Sequence, residues 1–216
     1  RGGALDLRTA KFGQGSDGAS GALDVSLDRL QVSEGIALTN FRGNFQGAGG
    51  FNGSFTGQMN GGTPVQGRLT PQNGGSAVQL QAADAGALLR SAGLMQDAQG
   101  GRFDLTLIPT GTKGNYDGQL AIGAVRIRKV PAVAELLNAV SVVGLLQALD
   151  GPGILFDSVD ATFRLTPNEV IITRGTAVGA SLGISLEGIY TLANKALNFQ
   201  GVLSPVYVLN GIGAVL

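Results

Sequence analysis

The sequence predicts a mainly β protein: a long, curved antiparallel β-meander with one apolar face, carrying two helices at about 84–93 and 131–149. Three observations predict it. Apolar and polar residues alternate with period two along nearly the whole chain, the pattern of strands with one buried and one wet face. That one-sidedness favours antiparallel pairing, because parallel strands are usually covered on both faces and read as continuous apolar runs. Short turn signals separate the runs, and 36 glycines in 216 residues punctuate them, well above the usual ~7%.

The elements follow in chain order. Leu23, Val25 and Leu27 alternate with Asp24, Ser26 and Asp28, and the parity slip between Leu27 and Leu30 predicts a bulge. Ser33-Glu34-Gly35 supplies the first hairpin turn. Two patterns, Phe41-x-Gly43-x-Phe45 and Phe51-x-Gly53-x-Phe55-x-Gly57-x-Met59, set glycines between large residues on one strand face. Such gaps mark bends or close approach to the backbone, and they let a sheet curl toward the glycine-bearing face. A short helix begins at Asp84, a capping residue, and closes at Gly93. Phe103, Leu105 and Leu107 resume the alternation. The second helix opens with Pro131, carries Glu135 in its first turns and stops at Asp150-Gly151-Pro152. Its polar residues Glu135, Asn138, Ser141 and Gln147 spiral around the axis, so it is apolar nearly all round. It nears transmembrane length, about 20 residues, but those polar groups would be costly in hydrocarbon, and packing across the sheet's apolar face is the expectation. Thr166-Pro167-Asn168-Glu169 and Ala193-Asn194-Lys195 read as further turns. Between them the longest alternating run sets Val178, Ala180, Leu182, Ile184 and Leu186 against Gly179, Ser181, Gly183, Ser185 and Glu187.

Composition narrows the chemistry. The chain has no His, Cys or Trp, which excludes a Ser-His-Asp triad, a cysteine nucleophile, a Cys/His zinc site and any disulfide. Formal net charge is zero, from 15 basic and 15 acidic residues, so nucleic acid is not an expected partner. At 44% hydrophobic residues the chain lies outside the disordered class and should fold as a single domain over 1–216. With no initiating Met and an apolar run at its end, it reads as an excised fragment.

Literal motif matches fail on context. Gly13-Gln-Gly15-Ser-Asp-Gly18 spells a dinucleotide fingerprint, but a strand follows where a helix N-terminus is needed. Gly179-Ala-Ser181-Leu-Gly183 spells a nucleophile elbow, yet Ser181 is expected on the polar side of an uninterrupted strand and no His can act as base. Asn52-Gly-Ser54 is a glycosylation sequon only in spelling. Asp24 with Asp28, or Asp157 with Asp160, could flank a sugar cleft, although as residues of solvated strand faces and turns they have an ordinary explanation. Arg126-Ile127-Arg128-Lys129, the densest basic cluster, suits anionic headgroups or a charge-protected strand edge.

The order and spacing of several segments carry a family resemblance. Asp84 to Arg90, Gly100 to Phe103, Pro131 to Leu137, Gly151 to Phe156, Gly179 to Gly183 and Gly201 to Asn210 together resemble the AsmA-like C-terminal domain of AsmA, YhdP and TamB type bacterial envelope proteins. The resemblance runs from about Asp84 to the end of the chain. It implies a bacterial periplasmic protein, anchored to the inner membrane by a helix outside this chain, whose long curled sheet has an apolar interior. It also implies a role in phospholipid movement to the outer membrane, a domain continuing past Leu216, and no catalytic motif or cofactor.

A sheet with one apolar face has to cover that face with a helix, a second sheet or acyl chains. The first expectation is a lipid groove lined by Phe163, Leu165, Leu182, Ile184, Leu186, Leu197, Phe199 and Leu203, gated or capped by the 131–149 helix. Arg126, Arg128 and Lys129 are the headgroup candidates, and phospholipid acyl chains the partners, with membrane association through regions outside this chain. The alternative is a structural spacer or outer-membrane assembly factor in which those residues form a closed core and an envelope protein docks on the polar face or a sheet edge.

Overall fold

The computed structural model describes residues 2–7, 21–47, 51–129, 134, 143–194 and 196–205. One 13-stranded sheet runs through them, curved and unclosed, as the alternation predicts. Its strands are β1 (Ala4–Asp6), β2 (Ala22–Ser33), β3 (Ile36–Gly47), β4 (Phe51–Met59), β5 (Thr63–Gln72), β6 (Gly75–Ala82), β7 (Ala98–Gln99), β8 (Arg102–Pro109), β9 (Tyr116–Ile127), β10 (Ile154–Leu165), β11 (Glu169–Val178), β12 (Leu182–Thr191) and β13 (Ala196–Pro205). Two helices interrupt the meander, α1 (Ala85–Ser91) after β6 and α2 (Val143–Asp150) before β10. Neighbours in sequence are neighbours in the sheet except for short β7, which lies beside the end of β9, next to β8; all pairs are antiparallel except β1 with β2, which is parallel.

Local chemistry sets each boundary. The Asp84 side chain accepts from the Ala87 amide at 2.8 Å, and Gly93 closes α1 at φ +71°, its N–H donating to Arg90 O at 3.0 Å. The first free amides of α1, at Ala85 and Gly86, donate to Gly101 O and Gly100 O at 2.7 and 2.8 Å. Gly86 permits that approach, because a Cβ there would stand 2.5 Å from the Gln99 backbone. At the β4–β5 turn, Asn60 adopts φ +48° and its side-chain amide donates to Gly35 O and Ser91 O, both at 2.8 Å, tying the β2–β3 hairpin to the end of α1. Of the expected 131–149 helix, Val143–Asp150 forms α2 and Ala134 is helical, while Glu135, Asn138 and Ser141 lie outside the described residues. Leu149 of α2 is buried against the core, and the Lys129 amide donates to Leu149 O at 3.1 Å.

Two expectations change. Leu27 and Leu30 do reach the same face, but without a bulge between β2 and β3 at that level: Leu27 pairs with Phe41 and Leu30 with Leu38. The partner strand slips parity at the same place, through Asn40 at φ +49°, and the register shift falls one strand further on, between β3 and β4. The run from Val178 to Leu186 is not one strand. Gly179-Ala180-Ser181 turns the chain, with the Gly179 N–H donating to Leu182 O at 3.0 Å, and parity flips across it. Ala177, not Val178, shares a face with Ile184.

Candidate functional site

Residues directly opposite each other in a ladder lie on the same face, so the register shows what each face holds. One row crosses eleven strands without a polar member: Leu23, Phe45, Gly53, Leu69, Val78, Leu107, Gly118, Phe163, Ile172, Gly188 and Phe199. Two residues along the strands, a second row does the same with Val25, Gly43, Phe55, Gly67, Leu80, Leu105, Leu120, Ala161, Gly175, Leu186 and Gly201. The row between them points the other way and reads Asp24, Asn44, Ser54, Arg68, Gln79, Thr106, Gln119, Thr162 and Arg174. One face of the sheet is therefore apolar from β2 to β13.

The glycines in these rows are occupied sites. A Cβ on Gly118 would lie 2.2 Å from the Phe163 ring, one on Gly67 2.2 Å from the Phe55 ring, and one on Gly43 2.4 Å from the Phe45 ring. Leu186 closes similarly on Gly175, and Phe199 on Gly188. Large side chains lie across glycines beside them, which smooths the floor and lets the sheet bend.

Burial along the strands is uneven. At one end α1 and α2 cover the face: Leu149, Ile154, Phe156 and Leu182 are less than 2 % exposed or at that limit, and Leu30, Leu38, Met59, Val65, Phe103, Ile122, Val125 and Ile127 are buried with them. Toward the other end Leu69, Val78, Leu105, Leu107, Leu120, Phe163 and Leu165 are half-buried. At its margins Leu23 is 48% exposed, Phe51 41%, Phe199 40% and Leu197 65%. The apolar face is thus sealed by α1 and α2 at the helical end, while toward the other end Phe45 and Phe55 are buried and most other large side chains of the two rows are half-buried or exposed.

All eight expected groove residues lie on this face, Phe163 and Leu165 on β10, Leu182, Ile184 and Leu186 on β12, and Leu197, Phe199 and Leu203 on β13. Leu182 differs from the rest because it is fully buried in the sealed end. Sequence reasoning missed that β2 to β9 supply as much of the floor; the alternation of Leu69, Val78, Leu80, Leu105, Leu107 and Leu120 was the available signal.

The basic cluster sits at the sealed end. Arg126 Nη1 donates to Pro152 O and Gly153 O at 3.3 and 3.2 Å, clamping the loop into β10, and the Arg128 stem packs on Gly153. Lys129 is exposed at φ +48°. From Ile127 to Tyr116, at the open end of β9, is about 36 Å of extended strand. The carboxylates have structural partners or face solvent. Asp24 Oδ1 accepts from Asn44 Nδ2 at 2.6 Å and Asp28 Oδ2 from the Gly3 amide at 2.9 Å. Asp157 is exposed, and Asp160 lines a polar-face depression of about 400 Å³ with Asp104, Gln119 and Arg174. Ser181 stands in the hairpin turn described above, where a nucleophile elbow would need a helix to follow. Asn52 is exposed near the start of β4, and Gly13 to Gly18 lie outside the described residues.

Among the described residues no helix is long and apolar enough to cross a membrane, and no three acidic side chains gather where a metal ion could be held. Comparison with protein-family models, curated proteins and solved structures returns no match for the chain.

Proposed function

We propose that this chain is a non-catalytic lipid-binding segment of a bridge-like protein that carries phospholipids between membranes across the bacterial periplasm, its trough shielding acyl chains from water. The observation that carries the reading is the pair of unbroken apolar rows, which cross the sheet from β2 to β13 beside the end of the face that α1 and α2 cover. Ten strand spacings separate β2 from β13, about 48 Å of apolar floor, longer than an extended acyl chain. Sheltering about half the surface of about 14 methylenes contributes about 6 kcal/mol at ~0.8 kcal/mol per buried methylene. Flat rows of Leu, Phe and Gly discriminate little between chain positions, so a bound lipid can slide along them. The placement of Arg126 as a loop clamp favours a structural role for it, and headgroups then sit at the open rim. Inner-membrane anchoring and periplasmic location rest on the family resemblance. The alternative, a spacer or assembly factor with a closed core and a protein partner, draws support from the sealed end but leaves the half-buried and exposed side chains of the two rows without a role.

Native mass spectrometry with lipid extraction tests this on the purified chain and on the double variant Leu165→Asn plus Leu186→Asn, both half-buried on the open floor. Leu182 is avoided because its loss would disturb folding. Removing about 2–3 kcal/mol of apolar contact should lower bound phospholipid by about 30-fold or more while circular dichroism stays unchanged. A wild type that folds and carries no lipid, even after incubation with phospholipid, would sink the reading.

A further inference from the structure

On β8 to β13 the aromatic residues of the apolar face are sorted by their position along the strands. A further row lies two residues beyond Phe163, toward the strand ends away from α1 and α2, and reads Pro109, Tyr116, Leu165, Val170, Tyr190 and Leu197. Every phenylalanine of these strands, Phe103, Phe156, Phe163 and Phe199, lies deeper than this row, and both tyrosines lie in it. Tyr116 and Tyr190 are half-buried, and among the described residues neither hydroxyl has a hydrogen-bond partner. Phenylalanine and tyrosine bury the same ring and differ in the hydroxyl, which has to stay wet or find a partner. Beside the row stand the hairpin turns at 73–74, 110–115, 166–168 and 192–194, and the exposed Lys113 is their one charged residue.

We propose that this row holds the phosphodiester headgroups of lipids in the trough, the Tyr116 and Tyr190 hydroxyls donating to phosphate oxygens and the Lys113 ammonium pairing with the phosphate charge. The proposal rests on the lipid reading above and adds a direction to it: acyl chains lie along the strands, with the headgroup end at the tyrosines and the methyl end toward α1 and α2. Depth fits this direction. From Leu165 in the row to Val159, the last half-buried floor residue of β10 before the buried Phe156, is about 20 Å of strand, against about 15 Å for one leaflet of a ~30 Å hydrocarbon core. The chemistry fits as well. Tyrosine favours the boundary between apolar and wet surroundings at bilayer interfaces, where its ring is sheltered and its hydroxyl is not. A phosphodiester carries a negative charge and offers only acceptors, so it matches one ammonium and phenolic donors. Tyr116 and Tyr190 are three strand spacings apart, about 14 Å, so they serve successive positions of a lipid that moves across the strands.

Dioleoyl phosphatidylglycerol and dioleoylglycerol share their acyl chains and differ in the phosphate headgroup, so their affinities for the purified chain, measured by native mass spectrometry, separate headgroup from chain binding. The wild type should bind the phospholipid about tenfold or more tighter than the diacylglycerol. Lys113→Gln, Tyr116→Phe and Tyr190→Phe together, which keep both rings, should bring the two affinities to within about twofold of each other. A folded wild type that binds neither lipid would overturn the lipid reading and this proposal with it. Equal affinities in the wild type, or a preference that survives in the folded triple variant, would overturn the headgroup site alone. Tyrosine emission reads the direction, the chain having three tyrosines and no tryptophan. Phospholipid brominated near the ester end of its acyl chains should quench that emission at least about twofold more than phospholipid brominated near the methyl end, because the tyrosines stand at the headgroup end of the ~20 Å floor. The difference should vanish in Tyr116→Phe plus Tyr190→Phe, which keeps only Tyr207. Equal quenching by the two lipids, or the reverse order, would overturn the orientation and the headgroup site.

Discussion

Gly118→Ala should destabilise the protein although alanine is ordinarily the better strand residue. A methyl at Gly118 would lie 2.2, 2.3 and 2.7 Å from three atoms of the Phe163 ring, where ordinary contact needs 3.4 Å or more, so the ring must move by about 1 Å. Forcing a side chain off its packed position costs about 1–3 kcal/mol, which exceeds the ~0.5–1 kcal/mol that replacing a strand glycine otherwise gains. Gly123 is the internal control, in the same strand with nothing within 4 Å of its hypothetical Cβ. Gly123→Ala should be neutral or stabilising by about 0.5 kcal/mol. Phe163→Leu shortens the ring that causes the clash, so it should recover about 1 kcal/mol or more of the Gly118→Ala loss as a coupling term in a double-mutant cycle. Urea unfolding followed by far-ultraviolet circular dichroism measures all four variants, the chain having no tryptophan for fluorescence. Additivity of Gly118→Ala and Phe163→Leu within about 0.5 kcal/mol, or a neutral Gly118→Ala, would refute the claim that the ring occupies the glycine.

Other predictions probe the ends of the trough and its local geometry. Phe156→Ala, in the sealed end, should cost about 3–5 kcal/mol by denaturation, whereas Leu197→Ala, 65% exposed, should cost less than about 0.5 kcal/mol; similar losses would mean that the face is covered throughout. Ala124 is exposed at φ +50°, so Ala124→Gly should stabilise by about 0.5–1 kcal/mol, seen as a rise in the urea midpoint. Asp84→Ala removes the cap of α1 and should cost about 1 kcal/mol, with faster hydrogen exchange confined to Ala87 and its neighbours.

The strands and their buried face were legible because a period of two is a local signal: Phe103, Leu105 and Leu107 in one strand and Ile184 and Leu186 in another each announce their face. What was not legible is set by partners distant in the chain. The run through Val178 reads as continuous because Ala180 is apolar and fits the alternation; the turn is marked in the structure by the Gly179 N–H to Leu182 O hydrogen bond and by the closeness of Gly179 to Leu155 O, where a Cβ would stand at 2.3 Å. Glycines such as Gly67 and Gly118 look like gaps along their own strands and are filled by rings from the next ones. The bulge expected at Leu27 to Leu30 vanished for the same reason, since Asn40 on β3 slips in step. Arg126 looked like a free basic group because its carbonyl partners, Pro152 and Gly153, follow a helix.

Adjacent residues on opposite faces give the most direct test of acyl-chain binding. Leu107 lies on the apolar floor and Thr106 beside it in β8 on the polar face, both half-buried. A fluorophore attached to Leu107→Cys or to Thr106→Cys reports which face meets lipid when phospholipid with brominated acyl chains is added. The trough predicts strong quenching at position 107 and little at 106. Equal quenching at both positions, or none at 107 in a folded protein, would contradict it.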